Sequence, residues 1–351
     1  MGEVSASGAA EHHSGHADPS IVRVRALLAA GLAALDEQRA EVNALNVFPV
    51  ADGDTGDNMV LTLQAALDEL DRLADASKAT SGDEIGRDQI VASVARAALL
   101  GARGNSGVIL SQLIRGAAEE LASRPGELVD PVLIAAALAR AVDQAYGSVR
   151  EPAEGTILTV VREMAHRVAS ELAHRPDSRL AAEVTAAEQD FAIADVIELA
   201  VQAGQDSVAR GPDLWAALRS AGVVDAGGYG LTVLLAGIVA ALRGSDPPPR
   251  SALQAPAPGA SPDHVSITYR YCTNFAVTGS GLEPRSFVAE LELLGDSVLV
   301  VGDAQTLKVH VHTDDPAGAK ALFEAVGEVS HVAVFDMREP ADAPDARPRR
   351  P

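Results

Sequence analysis

Two periodicities that no single layer of structure can satisfy divide this chain. From Ser20 to Leu242 apolar residues recur at helical spacing, Ala and Leu dominate, and β-branched runs are scarce. Beyond a proline-rich break at 244–262 (GSDPPPRSALQAPAPGASP), Val265, Ile267, Tyr269 and Tyr271 alternate as a strand does. The first part predicts helices near 20–42, 57–75, 84–101, 106–122, 131–149, 155–174, 184–209 and 226–243, with a short turn at 213–221. Pro131 falls at the start of the fifth, where its missing N–H costs nothing. Eight helices with short connections favour an antiparallel up-and-down bundle or barrel. The second part predicts a strand, a helix near 284–294, strands near 297–302 and 306–312, a helix near 316–326 and a strand near 329–336. That order is the βαββαβ of a small ferredoxin-like α+β layer, in which the first and third strands are expected as parallel neighbours.

The expected organisation is a polar tail at 1–19, a helical domain at 20–243, a linker at 244–262, an α+β domain at 263–338 and a second tail at 339–351. His12, His13 and His16 mimic a metal cluster, but in a small-residue polar tail they read as composition only. The 351 residues carry a net charge of −21 and no basic stripe, which argues against a nucleic-acid groove. One cysteine, Cys272, excludes an intramolecular disulfide framework and suits a reducing cytoplasm. The first twenty residues lack the apolar run of a signal peptide. Ala226 to Leu242 is glycine-rich and slightly short of a membrane span, so a buried helix is expected there and no integral membrane segment.

Four polar, glycine-bearing segments open helices in the first part: DGDTGDN at 52–58, GARGNSG at 101–107, EGT at 154–156 and DAGG at 225–228. They precede the second, fourth, sixth and eighth predicted helices. In an up-and-down arrangement all four therefore meet at one rim. Asp52 and Asp54, two residues apart on a glycine-bent turn, can converge on a hard cation such as Mg²⁺. Helix starts offer unpaired N–H groups to phosphate. Gly101, Gly104 and Gly107 leave room for a phosphate beside backbone, and Ser106 adds a hydroxyl. Asn58 and Asn105 supply amides, while Thr55 and Thr156 serve as helix caps or phosphate ligands. Gly227 and Gly228 permit close contact with a base or ribose, and Arg210 is either a phosphate partner or a surface arginine. An Asp-Gly-Asp turn also occurs in calcium loops, but Thr55-Gly56-Asp57-Asn58-Met59 breaks EF-hand spacing. No Walker-type GxxxxGK[ST] is present.

NVFPVADGDTGDNM, GARGNSGVILSQ, EGTILTV and AGVVDAGGYGL together resemble the nucleotide-binding domain of the dihydroxyacetone kinase L-subunit family, in its branch within the ATP-binding subunit of bacterial fatty acid kinase. The resemblance covers about 20–243, with a weaker one through the βαββαβ region. It implies an eight-helix barrel that holds ATP at one rim through two Mg²⁺ ions. By this resemblance Asp52 and Asp54 are metal ligands, and Asn46 falls where relatives place a further ligand, commonly Asp. Thr55, Gly56, Asp57 and Asn58 match a phosphate-contacting turn, and Asn105, Ser106 and Gly107 a second phosphate loop. Thr156, Asp225, Ala226 and Gly227 fall on nucleotide-contact positions. Asp57 departs from the branch, which usually has Thr there; a third carboxylate either adds a metal ligand or repels phosphate.

The acceptor in this family is carried by a separate protein: a DegV-like fatty-acid-binding subunit in one branch, the K-subunit in the other. A half-enzyme forming an acyl phosphate on a partner-held fatty acid is the leading expectation. The alternatives are a dihydroxyacetone (glycerone) kinase-type subunit or else a non-catalytic ATP sensor or scaffold, and a homodimer is compatible with all three. In the second part Cys272, His310 and His312 read either as a small buried thiol with two histidines or as a zinc set lacking a fourth ligand, for which Asp314 is a candidate. The resemblance adds weight to zinc, because relatives carry a Cys and a His-x-His here. Those relatives continue into a further C-terminal domain, so this chain is expected to be a shortened or truncated member.

Overall fold

A computed structural model describes residues 18–47, 53–79, 85–175, 178–246 and 268–338. Most of the expected tails and of the proline-rich linker, the start of the first predicted strand (Val265, Ile267) and Asp52 lie outside the described residues, whereas Asp18 and Pro19, expected in the first tail, cap and open the first helix.

The first domain is a closed ring of helices. Its elements are α1 (Pro19–Glu37), α2 (Arg39–Leu45), α3 (Thr55–Ala79), α4 (Arg87–Gly101), α5 (Gly104–Ser123), α6 (Pro131–Ser148), α7 (Ile157–Ala173), α8 (Ala186–Leu214), α9 (Ala216–Ala221) and α10 (Ala226–Arg243). Neighbours pack in the order α1, α3, α4, α5, α6, α7, α8, α10, and α10 returns to α1. These eight are the eight expected helices, with α9 in place of the short turn. The first predicted helix, 20–42, is corrected: it breaks at Gln38, and α2 leaves at a new angle to pack on α3 and α10. No glycine or proline marks that break. The Gln38 Oε1 accepts a hydrogen bond from the Tyr229 hydroxyl of α10, a tertiary contact that outweighs local helix preference.

Helix starts follow their caps. The Asp130 carboxylate accepts from the Leu133 N–H at 2.8 Å with Pro131 next to it, and Thr185 and Glu188 form a reciprocal capping box at α8. α10 is apolar on every face and nearly all of it is buried, from Ala226 through Leu242, against α1, α7 and α8. Among the described residues it is the one helix long and apolar enough to cross a membrane, and here it serves as a core helix. Met59, Leu63, Ile157, Val160, Met164 and Tyr229 fill the barrel interior.

The second domain is βαββαβ: β1 (Tyr271–Gly279), a 3₁₀ turn (Pro284–Phe287) leading into α11 (Val288–Glu292), β2 (Gly295–Gly302), β3 (Thr306–Thr313), α12 (Pro316–Glu324) and β4 (Gly327–Asp336). The sheet order is β2-β3-β1-β4, and all pairs are antiparallel. β1 and β3 are neighbours as expected, but their direction is corrected from parallel to antiparallel. β2 and β3 form a tight hairpin, so β3 must run back along β2 and enter between β1 and β2. Phe275, Val277, Leu307, Val309 and Val311 point to one face, against Leu291, Ala319 and Phe323. Cys272, Asn274, Lys308, His310 and His312 take the opposite face, which is also buried.

That opposite face rests on the barrel. Leu299 and Val301 of β2 join Leu99, Ala102 and Val108 in one apolar cluster. Around it the Arg96 guanidinium donates to the Thr306 hydroxyl at 2.9 Å, and Arg150 pairs with Glu292.

Candidate active site between barrel and sheet

The four glycine-bearing segments do meet. A cavity of about 540 Å³ is lined by Asn46, Asp54 and Thr55, by Gly104, Asn105 and Ser106, by Thr156 and Ile157, and by Asp225, Ala226 and Gly227. The starts of α3, α5, α7 and α10 thus face one space. Each presents the positive end of its helix dipole, an environment suited to a polyphosphate. The far wall comes from the second domain: Val298, Leu299, His310 and His312. Trp215 and Leu218, at α9, add an apolar side on which a base can lie.

The α3 turn is held by a residue the sequence did not single out. Asn43 Oδ1, on α2, accepts from the Gly56 N–H at 2.7 Å and the Asp57 N–H at 3.2 Å, which caps α3 from another helix. Its Nδ2 donates to Asp57 Oδ2 at 3.1 Å, while Arg39 lies 3.5 Å from the other oxygen of Asp57. The Asp57 carboxylate is therefore engaged on the outer side of the turn and does not line the cavity. Gly56 fits only as glycine, since a Cβ there would stand 2.5 Å from the Arg39 carbonyl oxygen. Asp54 and Asn46 remain on the cavity wall as oxygen donors suited to a hard cation.

At the second loop Gly104 has φ +57°, and a Cβ would lie 2.3 Å from Asn58 Nδ2. Asn58 is buried beneath this loop and Gly107 packs on its carbonyl, so both set the α3–α5 spacing and neither lines the cavity. Asn105 and Ser106 do line it, and Asn105 Oδ1 is buried with no hydrogen-bond partner among the described residues. An orphaned acceptor in a cavity wall fits a bound ligand that brings a donor or a cation.

Thr156 caps α7: its hydroxyl accepts from the Leu158 N–H at 3.4 Å and donates to the Ala153 carbonyl at 2.8 Å. Asp225 caps α10 through the Gly228 N–H at 2.6 Å. Burial pushes the Asp225 carboxyl up to about 6, against hydrogen bonds from the Gly228 and Ile157 N–H groups that favour its charge. One carboxyl thus ties the starts of α7 and α10. Gly228 serves packing, because a Cβ would lie 2.7 Å from Val160. Arg210 is outside the cavity, exposed and paired with Glu163.

Cys272, His310 and His312 converge, with one ligand atom from each lying within 4.8 Å of the others. Asp314 does not join them; its carboxylate accepts from the Arg270 N–H at 2.8 Å. Asp296 approaches instead, 3.6 Å from His312 Nδ1. His310 is 1 % exposed, and burial first, then His312 and Lys308, hold its imidazole well below the usual histidine range. A neutral imidazole is the form that ligates a metal. His310 Nε2 is buried without a partner among the described residues, so the donor set fits a borderline cation such as zinc.

Residues 49–240 match the model of the DAK2 domain, and residues 268–343 match that of the FakA-like middle domain of fatty acid kinase. Protein YloV of Bacillus subtilis (strain 168) is 32 % identical over 327 residues, 89 % of this chain and 54 % of that protein. An uncharacterized protein of Staphylococcus saprophyticus is 32 % identical over 310 residues, covering 85 % of this chain and 51 % of its own length. The chain therefore spans about half the length of the curated relatives it matches. The crystal structure of a dihydroxyacetone kinase from C. freundii in complex with AMP-PNP and Mg²⁺ overlaps 70 % of this chain and 38 % of its own, at 18 % identity and a TM-score of 0.43.

Proposed function

Because the chain belongs to the DAK2 domain family, and it is a kinase-type subunit by that membership, we propose that it binds ATP with Mg²⁺ and passes the γ-phosphoryl group to an acceptor held by a partner protein. The observation that carries this reading is the meeting of four helix starts, with Asp54 and Asn46, around one cavity. The triphosphate lies against the starts of α3 and α5, beside Thr55, Asn105 and Ser106, and the base lies toward Trp215 and Gly227. Asp52, Asp54 and Asn46 hold magnesium, which neutralises phosphate charge when bound. Asn105 and Ser106 position the transferred phosphate.

A fatty acid is the favoured acceptor, presented by a DegV-like protein in the cytoplasm, with an acyl phosphate as product. The match to the FakA-like middle domain of fatty acid kinase supports this choice. So does the chemistry: a carboxylate is already nucleophilic at neutral pH and needs no general base, whereas a hydroxyl acceptor usually does. The Cys272–His310–His312 cluster is assigned to zinc, for which metal analysis of the purified protein is the test.

Asp52→Ala and Asp54→Ala are expected to abolish Mg²⁺-dependent ATP binding in calorimetry while the far-ultraviolet circular dichroism is unchanged. Normal binding in both variants refutes the metal assignment. With radiolabelled ATP, label should pass to a fatty acid loaded on a DegV-like protein. Transfer only to dihydroxyacetone, with a K-subunit present, would replace the proposed acceptor.

A further inference from the structure

Asn274 stands where the two halves of the cavity touch. Its Oδ1 accepts from the backbone N–H of Gly104, 3.2 Å away across the domain boundary, and lies 2.9 Å from His310 Nδ1. Its Nδ2 donates to Cys272 Sγ at 3.3 Å. The orientation of the amide follows from the partners. A backbone N–H can only donate, so the atom facing Gly104 is oxygen. The same oxygen faces His310 Nδ1 at 2.9 Å, nearer than the Cys272 Sγ at 3.9 Å, so that nitrogen carries the proton and Nε2 keeps the lone pair. Nε2 is the buried ring nitrogen that has no partner among the described residues. A cation taken up by His310 through Nε2 therefore leaves the Asn274 bond intact and stiffens it, since ligating histidines are oriented by an acceptor on the other ring nitrogen. The chain of contacts then ends at Gly104, in the left-handed conformation, at the loop that presents Asn105 and Ser106.

We propose that Asn274 is the positioning residue that couples a thiophilic divalent cation at Cys272, His310 and His312 to nucleotide in the cavity. The cation fixes His310 and Cys272, these fix Asn274, and Asn274 fixes the Gly104 turn. Filling one site reduces the ordering cost of filling the other, and the effect is reciprocal. The proposal rests on the nucleotide and zinc assignments above.

The test uses the full chain, zinc, and Mg²⁺ with the non-hydrolysable analogue AMP-PNP. Zinc affinity is measured against a chromophoric chelator, and AMP-PNP affinity by calorimetry with and without zinc. In the wild type zinc should tighten AMP-PNP binding by about fivefold, within the usual range of coupling between sites. Asn274→Ala should weaken zinc by about tenfold, as the loss of an outer partner does, and its coupling factor should fall to near one at saturating zinc. Asn274→Asp keeps the acceptor for Gly104 and His310 and should retain the coupling. The Gly104 amide, followed by hydrogen exchange, should gain protection on zinc binding in the wild type and in Asn274→Asp, but not in Asn274→Ala. Undiminished coupling in Asn274→Ala overturns the proposal, as does a wild type in which zinc and AMP-PNP bind independently. Independent binding leaves the functional assignment standing; failure of AMP-PNP to bind at all removes both.

Discussion

Lys308 of β3 crosses the domain boundary and donates from Nζ to the carbonyl oxygen of Leu100, 2.9 Å away in the last turn of α4. That carbonyl has no partner within its own helix, and the negative end of the helix dipole favours an ammonium there. Lys308 is 2 % exposed. Burial first, and Arg103 second, pull its amine down from 10.5 to about 8. Between those two values the unfolded chain holds a proton that the folded chain has released, so stability rises with pH across the window. Lys308→Met removes that slope. The melting temperature of the wild type, taken relative to Lys308→Met, should rise from pH 8 to pH 10; a flat difference contradicts the assignment.

Asn43 caps a helix to which it does not belong. Asn43→Ala leaves the Gly56 and Asp57 N–H groups without their acceptor and should cost about 1–2 kcal/mol in urea unfolding, in the range of cap deletions. The loss should also weaken Mg²⁺-dependent nucleotide binding, because the Asp54–Thr55 turn hangs from that cap. Wild-type values for both measurements would show that the turn is held by other contacts.

Asp225 carries a pH signature of opposite sign. Its folded value, about 6, lies above the ordinary 3.8. A protonated Asp225 stabilises the ligand-free fold below about 3.8, and that contribution disappears as pH rises through 6. Asp225→Asn should remove this dependence and still accept from the Gly228 N–H. Thermal melts of both proteins from pH 4 to pH 7 should show the wild type losing ground to the variant up to about pH 6 and no further. A wild type that gains on the variant as pH rises reverses the sign and refutes the burial argument.

The barrel was largely legible because its signals are local. Apolar spacing, Pro131, and polar residues ahead of each helix place seven helices and the shared rim of four, although α3 and α8 run on to Ala79 and Leu214, past their expected ends at 75 and 209. What was missed is tertiary. Nothing near Gln38 announces a helix break, since its cause, Tyr229, is 191 residues away. Asp57 reads as a metal or phosphate residue until Asn43 and Arg39, from the preceding elements, are seen to hold it. β2, β3 and β4 fall where expected, but β1 begins only at Tyr271, the last residue of the expected alternation, with Tyr269 in a bend; a period of two also cannot set strand direction, which the hairpin between β2 and β3 does. The docking of that sheet had one overlooked sign. Lys308, His310 and His312 share a face with Cys272 and Asn274, and a polar face that is nonetheless buried must have a partner layer. Reading Cys272-x-Asn274 beside His310-x-His312 as one face would have found Asn274.

The cavity's two walls belong to opposite ends of one covalent tether, the segment from Gly244 to Pro262. Both walls travel on one molecule, and dilution does not disassemble the site.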